Sequence, residues 1–449
     1  MRCTRRLLDR HFAAAIVVAS ILASAAATSC SSSEDGERLR PIEGPDADAD
    51  TDVSPPRQDG PVDASAVDAL PFDGGPLPIV CESHPCATSL VTVLTGDKPG
   101  EGFCALLDDG SVSCWGTNDE GQLGRGDDAG KADSALPARV LGPTRIVKLD
   151  HTCALDESGG IWCWGTGPHF LNDAVTITSE RMPVKLELPP ASEVAVGDTV
   201  GCAVVDDAVV CWGRNWNGQV RSPASWEDLP PERIALPPDA GIRDVVVGAA
   251  TFAVREDNLV WSWGANPPLG RVSSLRPDPH PAPIALGAIA SIDVAGESGC
   301  ATANGIGYCW GTIDSAASPS EAPSELRRAL PEPVVTPEHV VQIATTRSMR
   351  IGDTTRPQRW CAVAASGAVY CWGLNTSGQA GDGTKDNAYQ AVKVQGLPAP
   401  AAEVRTMPMS TCALLTSGKI YCWGNNFYGQ LGTGTIKGVS LAPKEVMLP

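Results

Sequence analysis

The sequence predicts an all-β chain: a seven-bladed β-propeller of four-stranded blades, preceded by a signal segment and a disordered acidic linker. Three observations carry the prediction. The dipeptide Trp-Gly recurs seven times, at 115, 164, 212, 263, 310, 372 and 423. A strand–turn–strand pattern precedes each copy. Twelve of the 16 cysteines occupy two fixed positions of that pattern. Self-similarity at such a period marks stacked supersecondary units, each unable to bury its own faces.

The repeat cores are residues 104–116, 153–165, 202–213, 252–264, 300–311, 361–373 and 412–424. Successive Trp-Gly pairs are 47 to 51 residues apart, apart from one step of 62 that an insertion around 346–359 explains. Each core reads as a hairpin, with small and apolar residues alternating about a turn such as Asp108-Asp109-Gly110 or Asn304-Gly305. A strand-like run lies upstream (146–149, for example) and a Pro-bearing run downstream (136–140). Four short strands per copy is the content of one propeller blade. The recurring Trp supplies apolar bulk for packing blade on blade. The residue two before it (Ser113, Trp162, Val210, Trp261, Tyr308, Tyr370 or Tyr421) shares its strand face, and blade packing explains it better than a carbohydrate-stacking ladder.

The cysteines divide cleanly. Within the repeats they pair as Cys104 with Cys114, Cys153 with Cys163, Cys202 with Cys211, Cys300 with Cys309, Cys361 with Cys371, and Cys412 with Cys422. The fourth copy has Phe252 and Ser262 instead, so both partners are missing together. A spacing of ten surrounds a three-residue turn and a spacing of nine a two-residue turn, which keeps the two cysteines opposite each other. Opposed residues at non-hydrogen-bonded positions lie about 4.5 Å apart between Cα atoms, near the short end of disulfide geometry. Six cross-strand disulfides follow. Two cysteines per hairpin give no zinc-finger ligand set, and no Cys-x-x-Cys occurs among the pairs. Cys81 and Cys86 form a small separate loop. A metal site of Cys81, His84 and Cys86 is the alternative, but it lacks a fourth ligand.

Such cysteine usage belongs to an oxidising compartment, and the N-terminus agrees. Arg2, Arg5, Arg6 and Arg10 precede an apolar run over 12–27, too short for a bilayer core, so residues 1–29 read as a signal peptide. Ala27-Thr28-Ser29-Cys30 resembles a bacterial lipobox, with Cys30 the lipidation site. Ordinary cleavage near Ala23-Ser24-Ala25 is the competing reading. Residues 30–80 form a linker rich in Asp, Ala, Pro and Gly. From 31 to 80 it carries twelve acidic and three basic residues, too charged and too poor in large apolar groups to order itself. The propeller occupies 81–449. The chain's net charge of −19 repels nucleic acid and anionic lipid.

The repeat also resembles a known family. The pattern C-A-L-x-x-x-G-x-V-x-C-W-G, then N-x-x-G-Q-L-G, is similar to the regulator of chromosome condensation repeat. Its second half is complete in Asn118-Asp-Glu-Gly121-Gln122-Leu123-Gly124 and in Asn426-Phe-Tyr-Gly429-Gln430-Leu431-Gly432. It is partial from Asn215 and from Asn375, and eroded after Gly165, Gly264 and Gly311. The resemblance spans the chain from residue 87 onward. It implies a seven-bladed propeller, in agreement with the repeat count, here in a bacterial exported setting. It also implies one alternative function, exchange-factor action on a small GTPase.

Catalytic chemistry is not legible. The six histidines (His11, His84, His151, His169, His280 and His339) fall in no nucleophile or zincin pattern. His151, at a strand start, reads as structural. The acidic pairs Asp108-Asp109 and Asp206-Asp207 recur as turn formers. The expectation is therefore a recognition module outside the cytoplasm, with no catalysis, no cofactor and no metal. It binds a protein or other cell-surface ligand, acts as a monomer, and touches membrane only through a lipid on Cys30. Its address is the outer membrane or cell surface, otherwise the periplasm or medium. An inhibitor of a secreted or periplasmic enzyme is the further alternative. Specificity is expected in non-repeating loops. The candidate partner-binding residues are Trp216 and Trp226 in one loop, and Arg347, Arg350, Arg356 and Arg359 in the insertion.

Overall fold

Each repeat folds into one four-stranded antiparallel sheet, and seven such sheets are present. The computed structural model describes residues 74–449 except 97–99, 128–129, 238–239, 316–323, 348, 352–353 and 357. The signal segment, Cys3, Cys30 and the spacer up to residue 73 lie outside the described residues. In blade 1 the strands are Ala87–Thr92, Gly102–Leu107, Val112–Gly116 and Ser134–Arg139, paired in that order. The innermost strands of blades 2 to 7 are Ile146–Asp150, Glu193–Val196, Ile242–Val247, Ile289–Ala295, Val340–Thr345 and Ala401–Thr406. Six of the seven outermost strands contain proline, as in Asp278–Pro283 of blade 4, which has three; Ala388–Lys393 of blade 6 has none. Proline has no N–H to offer an unpaired edge, so these rims resist strand addition.

The hairpin reading holds at each core. Every predicted cysteine pair sits in direct register, and Phe252 faces Ser262 in the fourth blade. Six cross-strand disulfides form, each with a Cα separation of 4.1 Å, slightly closer than expected. Cys81–Cys86 is the seventh. The two-residue turns take left-handed backbone at both positions, φ 48° and 60° at Asp206 and Asp207, and 51° and 75° at Asn304 and Gly305. That geometry suits tightly twisted hairpins.

A cluster of buried apolar side chains fills each of the seven seams between neighbouring blades. Trp115, Trp164, Trp212, Trp263, Trp310 and Trp423 are wholly buried there. Packing is only half of their role. Each indole N–H donates to a main-chain carbonyl of the preceding blade: Gln430, Gln122, Pro168, Gln219, Pro268 and Gln379, at 2.7–2.9 Å. Four acceptors are the Gln of the N-x-x-G-Q segment, so the two halves of the repeat motif meet across a seam. The Asn of that segment shapes the loop from within. Asn118, Asn215, Asn375 and Asn426 accept main-chain N–H bonds from Leu123, Val220, Ala380 and Leu431. Where the motif is eroded, in blades 2 and 4, a proline carbonyl takes the place of the Gln. Trp372, at the seam of blades 5 and 6, is partly exposed and stacks on Trp360. It has no such acceptor among the described residues.

Among the described residues no sheet combines strands from the two ends of the chain. Blade 1 comes wholly from residues 87–139 and blade 7 wholly from 401–445. Side-chain contacts and a few main-chain bonds close the ring instead. Trp115 donates to Gln430. Buried Glu101 of the blade-1 loop accepts bonds from Met409 N (2.6 Å), Ser410 Oγ (2.6 Å) and Gln430 Nε2 (3.2 Å). Burial pushes its carboxyl upward, against the pull of those donors and of Arg359. Residues 74–80, expected as the end of the spacer, lie against this seam. Val80 N donates to Thr416 O at 2.7 Å, and Ile79 packs on the apolar cluster between blades 7 and 1. All described residues belong to one compact unit.

Candidate functional site

Strand order fixes which loops share a face. Turns joining strands one to two and three to four emerge on one side of the ring, here called the loop face. The tight cysteine-flanked turns and the blade connectors emerge on the other. The insertion of blade 6, both long hairpins and the Trp216 loop therefore crown the same face. The long hairpins are Ile161–Leu171 with Ala174–Lys185 in blade 2, and Ile306–Ser315 with Ser324–Pro333 in blade 5. They arise three blades apart.

The loop face opens into an axial funnel of about 1150 Å³ walled by the seven innermost strands. Register defines two rings of matching positions on these strands. The first is Ser89, Lys148, Glu193, Asp244, Ser291, Gln342 and Glu403. The second, two residues on, is Val91, Asp150, Ala195, Val246, Asp293, Ala344 and Arg405. An innermost strand is an edge, with backbone groups left facing the axis. The ring residues satisfy them. Asp150 accepts from Val196 N and Asp293 from Thr345 N, both at 2.7 Å. Gln342 accepts from Val404 N at 2.8 Å, and Glu403 from Leu90 N at 3.0 Å. In each case the donor is one residue past the matching ring position of the next blade. Lys148 bridges Glu193 and Asp244, and Arg405 lies between Glu403 and Asp293. Burial raises the carboxyls of Asp293 and Glu403, with Arg405 opposing. These carboxylates are committed to wall building. No cluster of three metal-ligating side chains occurs among the described residues.

The funnel mouth is different in character. Trp216 (48% exposed) and Tyr428 line it, with Phe427 (59% exposed) beside Tyr428. Trp226, 85% exposed, stands edge-on to Trp216 at 5.1 Å. The Arg214 guanidinium lies 4.5 Å from the Trp216 ring. Asp198 on blade 3 and Arg347 on blade 6 complete the rim. Exposed aromatic groups gathered this way make interface anchors.

The structure thus places Trp216, Trp226 and Arg347 on one face. Arg350 and Arg356 fall in a two-stranded ribbon, Met349–Ile351 with Thr354–Arg356, on the same side; their side chains lie outside the described residues. Arg359 is a correction. It begins the second strand of blade 6, is 1% exposed, and spends its guanidinium on the carbonyls of Met407, Ser410 and Gln379. Burial lowers it to about 9, with Glu101 opposing. A charge so enclosed cannot meet a partner. Phe427 and Tyr428 went unnoticed in the sequence, though they stand at the variable x-x of N-x-x-G-Q, where Trp216 and Asn217 stand in blade 3. His151 is structural, its Nδ1 against Thr92 O at 2.9 Å.

Comparison with known proteins bears on the repeat itself. The model described as "Regulator of chromosome condensation (RCC1) repeat" matches residues 109–155, and a second model of the same description matches 410–430. Both matches fall on the repeat described above, from blade 1 into blade 2 and in blade 7. Among proteins with such similarity, the ultraviolet-B receptor UVR8 of Arabidopsis thaliana is 28% identical over 342 residues, covering 74% of this chain and 64% of that protein. Human E3 ubiquitin-protein ligase HERC2 is 24% identical over 249 residues, 55% of this chain and 4% of the ligase. The chain therefore spans less than two thirds of either relative. Yeast RCC1 (Prp20), solved bound to Kap60, superposes with a TM-score of 0.60 at 17% identity, covering 82% of this chain and 87% of that one. Human WBSCR16 gives 0.56 at 17% identity, covering 74% and 87%. These structural likenesses bear out the fold, a seven-bladed propeller.

Proposed function

We propose that this chain is an extracytoplasmic recognition module that binds a protein partner through its loop face and performs no catalysis. One observation carries the reading. The material that departs from the repeat (the insertion, the two long hairpins and the aromatic rim of Trp216, Trp226, Phe427 and Tyr428) gathers on one side of a rigid ring. The polar groups of the funnel are meanwhile engaged in holding the ring together. The yeast relative was solved in complex with another protein, which supports a binding role for the scaffold. Seven disulfides support residence in an oxidising compartment. Residues 1–29 would direct export and Cys30 would carry lipid, leaving a monomeric propeller at the cell surface.

The test is photocrosslinking on intact cells from a probe at residue 174, the exposed tip of the blade-2 hairpin, comparing the parent chain with a Trp216→Ser/Phe427→Ser variant. A discrete crosslinked protein that the variant loses, while its melting temperature holds, supports the reading. Equal capture by parent and variant overturns it. Stimulated nucleotide release from a small GTPase by the purified domain would favour the exchange-factor reading instead.

A further inference from the structure

The seven disulfides are not equivalent. In the six cross-strand pairs every cysteine is at most 3% exposed, enclosed between blades. In Cys81–Cys86 the two sulfurs have opposite surroundings: Cys81 is exposed, whereas Cys86 is fully buried. We propose that Cys81–Cys86 is a thiol–disulfide exchange site that latches an N-terminal strap, residues 74–86, over the closing seam of the ring.

The surroundings of Cys86 place the latch at that seam. Cys86 O accepts from Asp108 N at 2.9 Å, and Cys86 N donates to Asp108 Oδ1 at 3.3 Å, which fixes the cysteine on blade 1. The next residue, Ala87, donates its N–H to Gly418 O of blade 7 at 2.9 Å. A methyl at Gly418 would stand 2.2 Å from Cys86 Sγ, so blade 7 closes directly on this sulfur. Upstream of Cys81, Val80 is bonded to Thr416 of blade 7. Leu77 reaches the blade 6 turn at Gly367, where an added methyl would meet its Cδ1 at 3.0 Å. The strap thus runs from blade 1 across blade 7 to blade 6, and the disulfide fixes its direction where it crosses the seam.

Exchange requires a thiolate to approach one sulfur in line with the S–S bond, while the other sulfur leaves. Only Cys81 can be approached. A dithiol reductant of the dithiothreitol class attacks Cys81 Sγ, the Cys81–Cys86 bond breaks, and Cys86 leaves as a thiolate that takes up a proton. The reductant's second thiol then displaces Cys81 from the mixed disulfide. Two protein thiols and one cyclic disulfide of the reductant result. The six enclosed pairs offer no such approach until a blade seam opens. Because Glu101, Trp115 and the apolar cluster hold blades 1 and 7 independently, opening the latch frees the strap and leaves the ring closed.

Graded dithiothreitol on the native chain, quenched with iodoacetamide and mapped by mass spectrometry, tests this. Cys81 and Cys86 should be alkylated at least tenfold faster than any cross-strand pair. Hydrogen exchange, followed in the same samples, should quicken at residues 77–86 and 416–418 while the blade amides stay protected. Two results overturn the proposal: a cross-strand pair reduced at a comparable rate, or unchanged exchange at residues 77–86 once Cys81 and Cys86 are both alkylated.

Discussion

Replacing Trp263 by Phe isolates the indole bond that ties each blade to its predecessor. Phe keeps most of the ring's apolar body and deletes the N–H that reaches Gln219 O at 2.8 Å in a seam where Trp263 is 1% exposed. The stranded carbonyl costs about 1–3 kcal/mol, because water cannot replace the donor. The volume lost from indole to phenyl, roughly 40 Å³ at ~24 cal/mol per Å³ if unfilled, adds about 1 kcal/mol. The expected destabilisation is therefore about 2–4 kcal/mol. Trp372→Phe is the internal control. It sits at the same repeat position, is partly exposed, and has no carbonyl partner among the described residues, so its cost should be about 1 kcal/mol. Guanidinium unfolding followed by far-UV circular dichroism, in non-reducing buffer at fixed pH, gives both numbers. Equal costs for the two substitutions would refute the bond's role and leave the tryptophans as packing bulk alone.

Further outcomes are expected. Asp278 is partly desolvated, but Ser273 Oγ, Arg271 and His280 N outweigh that and bring its carboxyl down to about 2. Its stabilisation is present above pH 4 and is lost as pH falls towards 2, so Asp278→Asn should flatten that stretch of the stability–pH curve by about 2 kcal/mol. Gly418 has φ +78° and lies against Cys86 Sγ, so Gly418→Ala should cost about 2–4 kcal/mol in denaturant unfolding through strain and overlap together. Trp226→Ala should abolish partner crosslinking with less than about 0.5 kcal/mol change in stability, since its ring is mostly in solvent. Cys30→Ala should end incorporation of labelled fatty acid; labelling that survives the change would exclude lipidation at this residue.

The sequence made most of the ring legible, because the signals were repeated. Seven Trp-Gly pairs and paired cysteines at matched spacing determine hairpins, register and blade number together. The absence of both cysteines at Phe252 and Ser262 showed that the others were partners. What stayed hidden depends on contacts between repeats. The Trp reads as packing bulk and the Gln of N-x-x-G-Q only as part of a family pattern, because their bond crosses a seam and spans more than 40 residues in the chain. The capping of each innermost edge by Asp150, Asp293, Gln342 or Glu403 is likewise invisible in any single copy. Arg359 was misread for a related reason. The insertion that lengthens the sixth repeat ends just before it, so an arginine that begins a strand looked like the last of a basic loop.

Every sheet is drawn from one uninterrupted stretch, and Ile79 near the start and Leu448 at the end pack on the same apolar cluster. No sheet therefore depends on which connector between blades is cut. A circular permutant cut at the connector between blades 3 and 4, with a short linker joining residue 449 to residue 74, would contain the same seven hairpins and the same seams.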